Sequence, residues 1–219
     1  MRKSRFLIGA VVCLAVGLAA VSNLGADATD QRADGAYRST NAGANTLFLT
    51  GQFLVAARKM PDPRFERTVI LITDHDTTGA SGFVINKIFG AGPLSTFLQG
   101  FGIDGGTSEE PVALHYGGPV EVGAAAVLHG TDYRDVSTKR ISANLAWSNH
   151  KDVLEAIAAG KGPKQRIFIL GYSGWAPGQL EGEMAREDWL TAPADAALIF
   201  GKDFDTLWDR ILAKAGIKL

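Results

Sequence analysis

Short apolar runs of strand length recur along most of this 219-residue chain and constrain its fold more than any other feature. Each run is rich in β-branched or aromatic residues, and turn-forming residues cluster between the runs. Several runs follow one another without a helical pattern between them, which favours a mixed, mostly antiparallel sheet. The runs cover residues 53–57, 68–73, 82–86, 112–116, 124–128, 141–147 and 166–170, with 196–200 as a candidate eighth strand.

Helical patterns are fewer, and the sequence predicts about four helices. Apolar residues between positions 153 and 158 share one face of a helix that Ser148 or Asn149 can cap. Positions 204–215 carry a continuous apolar stripe at helical spacing, so this helix is expected to dock on the sheet. Together with the strands, these patterns predict a single compact α+β domain over residues 47–219. Two shorter helices are expected to begin at Pro93 and Pro177.

The N-terminal 28 residues have the pattern of a secretory leader. Basic residues at the start precede an apolar stretch at positions 6–21, and the small-residue triplet at 26–28 offers a cleavage site. The stretch is just shorter than the ~20 residues that cross a bilayer, so an uncleaved anchor is the alternative. Lipidation of Cys13 is rejected, because a lipoprotein processing enzyme needs small residues immediately before the cysteine and Val11 and Val12 occupy those positions. We therefore expect export to the periplasm or anchoring to the inner membrane, with a cytoplasmic location less favoured.

A polar, small-residue stretch at positions 29–46 predicts a flexible linker between the leader and the domain. Cys13 is the only cysteine, so the processed chain would have no disulfide or thiolate and must rely on its hydrophobic core. Removing residues 1–28 takes away three of the 22 basic and one of the 23 acidic residues, which leaves a formal charge of −3. No basic stripe is evident, so nucleic acid is a disfavoured partner, and contact with a membrane is expected only through an uncleaved leader.

Four ordered blocks of the sequence carry a specific pattern. The blocks comprise residues 53–56 with 62–65, residues 75–87, residues 117–120, and residues 171–183 followed by 189–195. Together they resemble the AlgH/YqgE family. This resemblance covers about residues 47–212 and implies a single compact α+β domain without an established enzymatic reaction. Members are often labelled transcriptional regulators because one is linked to the control of alginate production. The chain departs from the usual pattern by some 45 residues of leader and linker.

A candidate catalytic motif and a candidate anion-binding motif each lack a residue or element that their chemistry requires. Ser173 follows a strand, as in a nucleophile elbow, but Trp175 occupies the position where the tight turn needs glycine. Residues 117–119 could form a backbone nest for an anion, yet they lack the lysine and the following helix of a phosphate loop, which favours a tight turn. His75 and His115 end two strands and could border one opening, but no metal-binding spacing exists, so no metal and no cofactor are expected.

The sequence after residue 170 supplies most of a candidate ligand pocket. On the helix predicted at 177–188, Gln179 and Glu183 are four residues apart and share one face. The favoured hypothesis is a non-catalytic domain that binds an unidentified protein or small molecule. A hydrolase that uses His75 with Ser173 or Glu183, and a transcriptional regulator, remain as alternatives. The candidate pocket comprises His75, Asn86, Tyr172, Trp175, Gln179 and Glu183.

Overall fold

A computed structural model describes residues 48–214, so the predicted leader, the linker and the end of the last helix lie outside the described residues. The described part contains ten β-strands and five α-helices. None of its helices is long and apolar enough to cross a membrane. The strands are β1 Gln52–Ala56, β2 Val69–Asp76, β3 Gly79–Val84, β4 Ile88–Pro93, β5 Pro111–Tyr116, β6 Val120–His129, β7 Lys139–Arg140, β8 Ala146–Ser148, β9 Arg166–Trp175 and β10 Trp189–Pro193. The helices are α1 Leu94–Gly100, α2 Lys151–Ala158, α3 Gln179–Ala185, α4 Ala196–Ile199 and α5 Leu207–Lys214.

All ten strands belong to one sheet, in the order β10-β1-β2-β3-β9-β6-β8-β7, with the β4–β5 pair attached to β9. Within the described chain, the pairing of β5 with β9 is parallel and every other pairing is antiparallel. The prediction of a single α+β domain with a mixed, mostly antiparallel sheet is therefore confirmed.

Strand β9 changes partner along its length, and three glycines make this crossing possible. Its first half pairs with β5, whereas its second half, from Ser173 onward, pairs with β3. A Cβ atom on Gly117 would lie 2.2 Å from the carbonyl oxygen of Gly171, and one on Gly118 would lie 2.3 Å from the carbonyl carbon of Tyr172. Gly171 also has a φ of 73°, in the left-handed region. Opposite this residue, β6 bulges at positions 121–124.

The sheet is curled, and both of its faces are covered. The curl brings residues next to β1 close to the turn between β7 and β8. Phe53 and Asn144 line one cavity, and the carbonyl oxygen of Ile141 lies 3.6 Å from where a Cβ atom on Gly51 would stand. The inner face packs against α4 and α5, and the outer face packs against α3 at one end and against α1 and α2 at the other. Fully buried inner-face residues include Phe53, Val69, Leu71, Ile85, Leu128, Ile169, Ile199 and Leu207.

Several predicted elements differ from the structure. The candidate strand at 196–200 is wrong, because Asp195 accepts a hydrogen bond from the backbone N–H of Ala197 and begins helix α4 there. The single strand expected at 141–147 is interrupted by a turn, closed by a hydrogen bond from Ile141 N to Leu145 O, and pairing resumes only at β8. Strands β4, β7 and β10 were not predicted.

The two proline-initiated helices begin slightly later than expected. Pro93 is the residue before α1, and α3 begins at Gln179, after Gly178 with a φ of 75°. The N-cap of α2 is His150, whose side chain accepts a hydrogen bond from Asp152 N, and is neither of the two residues predicted.

Ser148, one of the two predicted caps, is instead fully buried at the end of β8. Its hydroxyl lies 3.0 Å from His129 Nε2 and 2.8 Å from Thr138 Oγ1. His129 Nδ1 lies 2.6 Å from the Gly130 carbonyl oxygen and must donate to it, so Nε2 accepts from Ser148. This hydroxyl therefore satisfies a buried histidine and is not available to cap α2.

Candidate functional site

Glu183 on α3 is the centre of a hydrogen-bond network that attaches this helix to the outer face of the sheet. Its Oε2 accepts from the indole N–H groups of Trp175 and Trp189, each at 2.8 Å. Its Oε1 accepts from Gln179 Nε2 at 2.9 Å, and Gln179 Oε1 in turn accepts from the backbone N–H of Ala176. Three donors thus converge on one carboxylate, and we call this arrangement the indole clamp.

His75 at the end of β2 is tied to the same helix through a different carboxylate. Its side chain is 2% exposed, its Nδ1 accepts from the backbone N–H of Leu49 at 3.1 Å, and its Nε2 lies 3.0 Å from Glu181 Oε1. Because Nδ1 is an acceptor, Nε2 carries the proton and donates it to Glu181. The pKa of Glu181 is lowered by a hydrogen bond from its own backbone N–H and, less strongly, by the bond from His75. Glu181, which the candidate pocket omitted, is the partner of His75.

The six residues of the candidate pocket separate into distinct places. The structure brings together Trp175, Gln179 and Glu183, in the indole clamp. Asn86 bridges two backbone groups, because its Oδ1 accepts from Val69 N and its Nδ2 donates to Arg67 O. Since Gly171 shifts the alternation of β9, Tyr172 lies with the inner-face cluster, whereas Trp175 lies with the outer-face cluster.

The other residues considered for catalysis or anion binding make structural contacts instead. Ser173 is 1% exposed, and its hydroxyl lies 3.4 Å from the carbonyl oxygen of Gly117. The Gly117 N–H donates to Leu170 O, so this N–H is not available to an anion, in agreement with a tight turn. His115 donates from Nδ1 to Ile85 O, and burial lowers the pKa of its imidazole to about 4. Described residues contain no cluster of three or more His, Cys, Asp or Glu side chains that could hold a metal ion.

Tyr172 lines a cavity of about 290 Å³ on the inner face of the curled sheet. Phe83 and Trp147 form the rest of its aromatic wall, and their rings meet edge to face with centroids 5.3 Å apart. The cavity lies beside the β6 bulge, so its presence follows from the crossing of β9. Its polar lining comprises Thr73, Ser81, Glu121, Lys139 and Asn149. We call it the inner-face cavity.

Sequence reasoning identified one wall of this cavity and missed the others. Tyr172 was singled out because it stands in a distinctive block, whereas Trp147 fell within a predicted strand and Lys139 within an unassigned segment. Positions 124–126, which also line the cavity, read as an ordinary strand. A run of small residues there (Gly123 to Ala126) is the one signal that could have indicated an open space, because such side chains leave the adjacent surface uncovered.

The described fold and the sequence both match known proteins. The family model described as AlgH-like matches residues 53–219. A UPF0301 protein of Methylococcus capsulatus is 47% identical over 170 residues, covering 78% of this chain and 93% of the relative. A UPF0301 protein of Bradyrhizobium diazoefficiens is 39% identical, covering 86% of this chain and 93% of the relative.

Two solved structures share the fold. The AlgH protein from Pseudomonas aeruginosa superimposes with a TM-score of 0.69 at 35% identity, over 82% of this chain and 94% of that chain. A protein from Corynebacterium diphtheriae gives a TM-score of 0.61 at 22% identity, over 79% of this chain and 90% of that chain, and supports the fold alone. The family match and the curated relatives show that the chain belongs to the AlgH-like family.

Proposed function

We propose that this chain is a non-catalytic binding domain that takes up a small ligand in the inner-face cavity. The observation that carries the proposal is the composition of the cavity wall, which combines three aromatic side chains with a few polar groups. Ligand sites in proteins are typically concave and mostly apolar, with a small number of polar groups that fix orientation.

Three other cavities are larger, but their lining argues less for a ligand. The cavity of about 390 Å³ between α1 and α2 has no aromatic residue in its lining. The cavity of about 660 Å³ beside α4 and α5 carries one acidic and one basic side chain, and these pair with each other, with Lys214 Nζ 2.8 Å from Asp195 Oδ2. The cavity of about 360 Å³ beside α2 has one aromatic residue, Phe101, and its Lys151 pairs with Glu155. The inner-face cavity combines aromatic walls with charges that form no ion pair within residues 48–214.

The contacts of His75 argue against the hydrolase alternative. A general base needs a free nitrogen within reach of the nucleophile. Both ring nitrogens of His75 are engaged, one by Leu49 N and the other by Glu181, and neither bonds to Ser173 or Glu183. Both carboxylate oxygens of Glu183 are likewise engaged by the indole clamp.

We further propose that the domain acts outside the cytoplasm, exported or held at the inner membrane by its leader. This proposal rests on the basic and apolar pattern of residues 1–28, and it makes contact with the chromosome an unfavoured role. Cell fractionation followed by N-terminal sequencing of the native protein tests it. Recovery from the soluble cell interior of a chain that still begins at Met1 would contradict it.

A thermal-shift screen of the full chain against a library of small metabolites tests the binding proposal. A ligand at one hundred times its Kd adds about 2.7 kcal/mol and should raise Tm by roughly 5–10 °C. The Ala124→Leu variant places a larger side chain at the exposed cavity rim and should lose the shift, whereas Ala91→Leu, on β4, should keep it. The absence of any hit, or equal shifts in both variants, would refute the proposal.

A further inference from the structure

Two opposite charges border the inner-face cavity without neutralising each other. Lys139 and Glu121 both line it, and neither forms an ion pair with any residue that the structure describes. The Lys139 ammonium instead lies 5.2 Å from the ring centroid of Trp147, in a cation–π contact. One cationic and one anionic group therefore remain available to a ligand at the rim of a single cavity.

An indole donor in the same wall also lacks an acceptor. The other three indoles each donate a hydrogen bond, Trp175 and Trp189 to Glu183 and Trp208 to the carbonyl oxygen of Ala56. Trp147 is partly buried, and its Nε1 has no acceptor among residues 48–214. A ligand oxygen beside Lys139 would fill that role.

We propose that the ligand of the inner-face cavity is a free amino acid with an aromatic side chain, an inference that rests on the proposed function. The α-carboxylate would pair with Lys139 and accept from Trp147, and the α-ammonium would pair with Glu121. The aromatic ring would lie against Phe83 and Tyr172. An apolar cavity of about 150 Å³ holds benzene, so the larger volume here suits a ring that carries an amino-acid backbone.

Isothermal titration calorimetry of the full chain tests this inference with four matched compounds at ~0.1 M salt. L-tryptophan carries both charges, tryptamine lacks the carboxylate, 3-indolepropionate lacks the ammonium, and 3-ethylindole lacks both. L-tryptophan should bind most tightly. Removing either charge should weaken binding by about three-fold, because an ion pair near the surface contributes less than about 1 kcal/mol, and removing both should weaken it further.

Two variants assign each charge to its partner. Lys139→Met keeps the aliphatic stem and should reduce the difference between L-tryptophan and tryptamine to the part that Trp147 supplies, leaving the ammonium preference intact. Glu121→Gln should abolish the difference between L-tryptophan and 3-indolepropionate. Both residues are exposed, so neither substitution threatens the fold. Lys202→Met and Glu109→Gln, at exposed positions that do not line the cavity, should leave all four affinities unchanged.

The outcomes separate this inference from the function on which it rests. The amino-acid inference is overturned, and the binding proposal stands, if 3-ethylindole binds as tightly as L-tryptophan. The same holds if all four compounds fail while another compound from the screen gives a thermal shift that Ala124→Leu loses. If the four compounds and the library all fail, both are overturned. Equal affinities in Lys139→Met and the native chain would likewise refute the assigned carboxylate contact.

Discussion

At the scale of single residues, Glu183 shows how a polar side chain can look functional in the sequence and be structural in the fold. Its carboxylate accepts three hydrogen bonds, two of them from the indoles of Trp175 and Trp189. Gln179, its neighbour one turn away, supplies the third. A carboxylate that accepts from three protein donors in this way stabilises the packing of α3 on the sheet.

Replacing Glu183 with Gln should destabilise the protein by about 2–3 kcal/mol. The amide oxygen can take the place of Oε2 and accept from both indoles, but these two bonds then lose a charged acceptor, and the amide N–H₂ group faces the Gln179 Nε2 donor, which loses its partner. Urea denaturation monitored by tryptophan fluorescence measures the change. Glu109→Gln, at an exposed loop position, is the control and should stay within ~0.5 kcal/mol of the native chain. A similar small effect at Glu183 would contradict the clamp.

His115 makes stability depend on pH. Burial lowers its folded-state pKa from 6.5 to about 4, so between these values the unfolded chain binds more protons than the folded protein. The contribution of the uncharged His115 to the free energy of unfolding is fully present above pH 6.5. It is lost as the pH falls towards 4, and the total loss is about 3 kcal/mol. Because Asn cannot titrate, the His115→Asn variant should show a smaller fall in unfolding free energy between pH 6.5 and pH 4 than the native chain.

His150→Asn is the matched control for this pH dependence, because the His150 side chain is 56% exposed and Asn can also cap α2. Denaturant titrations at several pH values between 4 and 7 measure both variants against the native chain. Carboxylates such as Asp195 have lowered pKa values and lose their own contributions at still lower pH, but they are common to all three proteins. An unchanged slope in His115→Asn would refute the assignment.

At the scale of elements, the crossing of β9 is the feature from which the inner-face cavity follows. Gly171 adopts a left-handed conformation, and a Cβ atom there would lie 2.6 Å from Gly118 O and 2.9 Å from Val120 O. Gly171→Ala should therefore destabilise the protein by roughly 3 kcal/mol, through backbone strain and overpacking. Thermal and urea unfolding measure this loss.

Gly100→Ala provides the contrast, because no atom lies within 4 Å of a Cβ at Gly100 and its φ is not positive. Gly100 ends helix α1, where Ala should be neutral or stabilise by about 0.5 kcal/mol. If the two substitutions had equal effects, the close approach of β5, β6 and β9 would not be the reason for the glycine at 171.

Strands and helices with a buried face were easier to predict from the sequence than exposed ones. Strands β1, β2 and β9 and helices α2 and α5 were evident from the sequence, because their buried faces give a regular apolar pattern. Strand β4 was missed because Ile88–Pro93 is an edge strand with exposed residues, two glycines and a terminal proline. Helix α4 was mistaken for a strand because four residues are too few to show a helical period.

The candidate site was less predictable than the fold, for a physical reason. The spacing of Gln179 and Glu183 on one helix is local, and the sequence indicated it correctly. The partners of Tyr172 come from β3 and β8, which are distant in the sequence, and the shift at Gly171 reverses which face of the sheet Tyr172 occupies. The sequence prediction ended this strand at residue 170, so strand alternation, which puts residues 172 and 175 on opposite faces, was not applied to them and they were expected together.

At the scale of the whole molecule, the charge distribution constrains which partners can bind. The formal net charge of the chain is −1. Several arginines of the described domain are already held by nearby carboxylates, including Arg64 by Asp62 and Arg166 by Glu110. A protein that binds DNA draws most of its affinity from Lys and Arg side chains that neutralise phosphates, and paired arginines must first leave their carboxylates.

We therefore expect the full chain to bind duplex DNA weakly or not at all, although family members carry the label of transcriptional regulator. Fluorescence anisotropy with a labelled ~30-base-pair duplex measures this. Any binding seen at ~0.05 M salt should disappear by ~0.2 M, because contacts to phosphates alone weaken steeply as counterions compete. The same titration with an unrelated duplex of equal length is the control, and should give the same curve. Binding that persists at ~0.2 M salt and differs between the two duplexes would require base contacts, and would restore the regulator hypothesis over a ligand-binding domain.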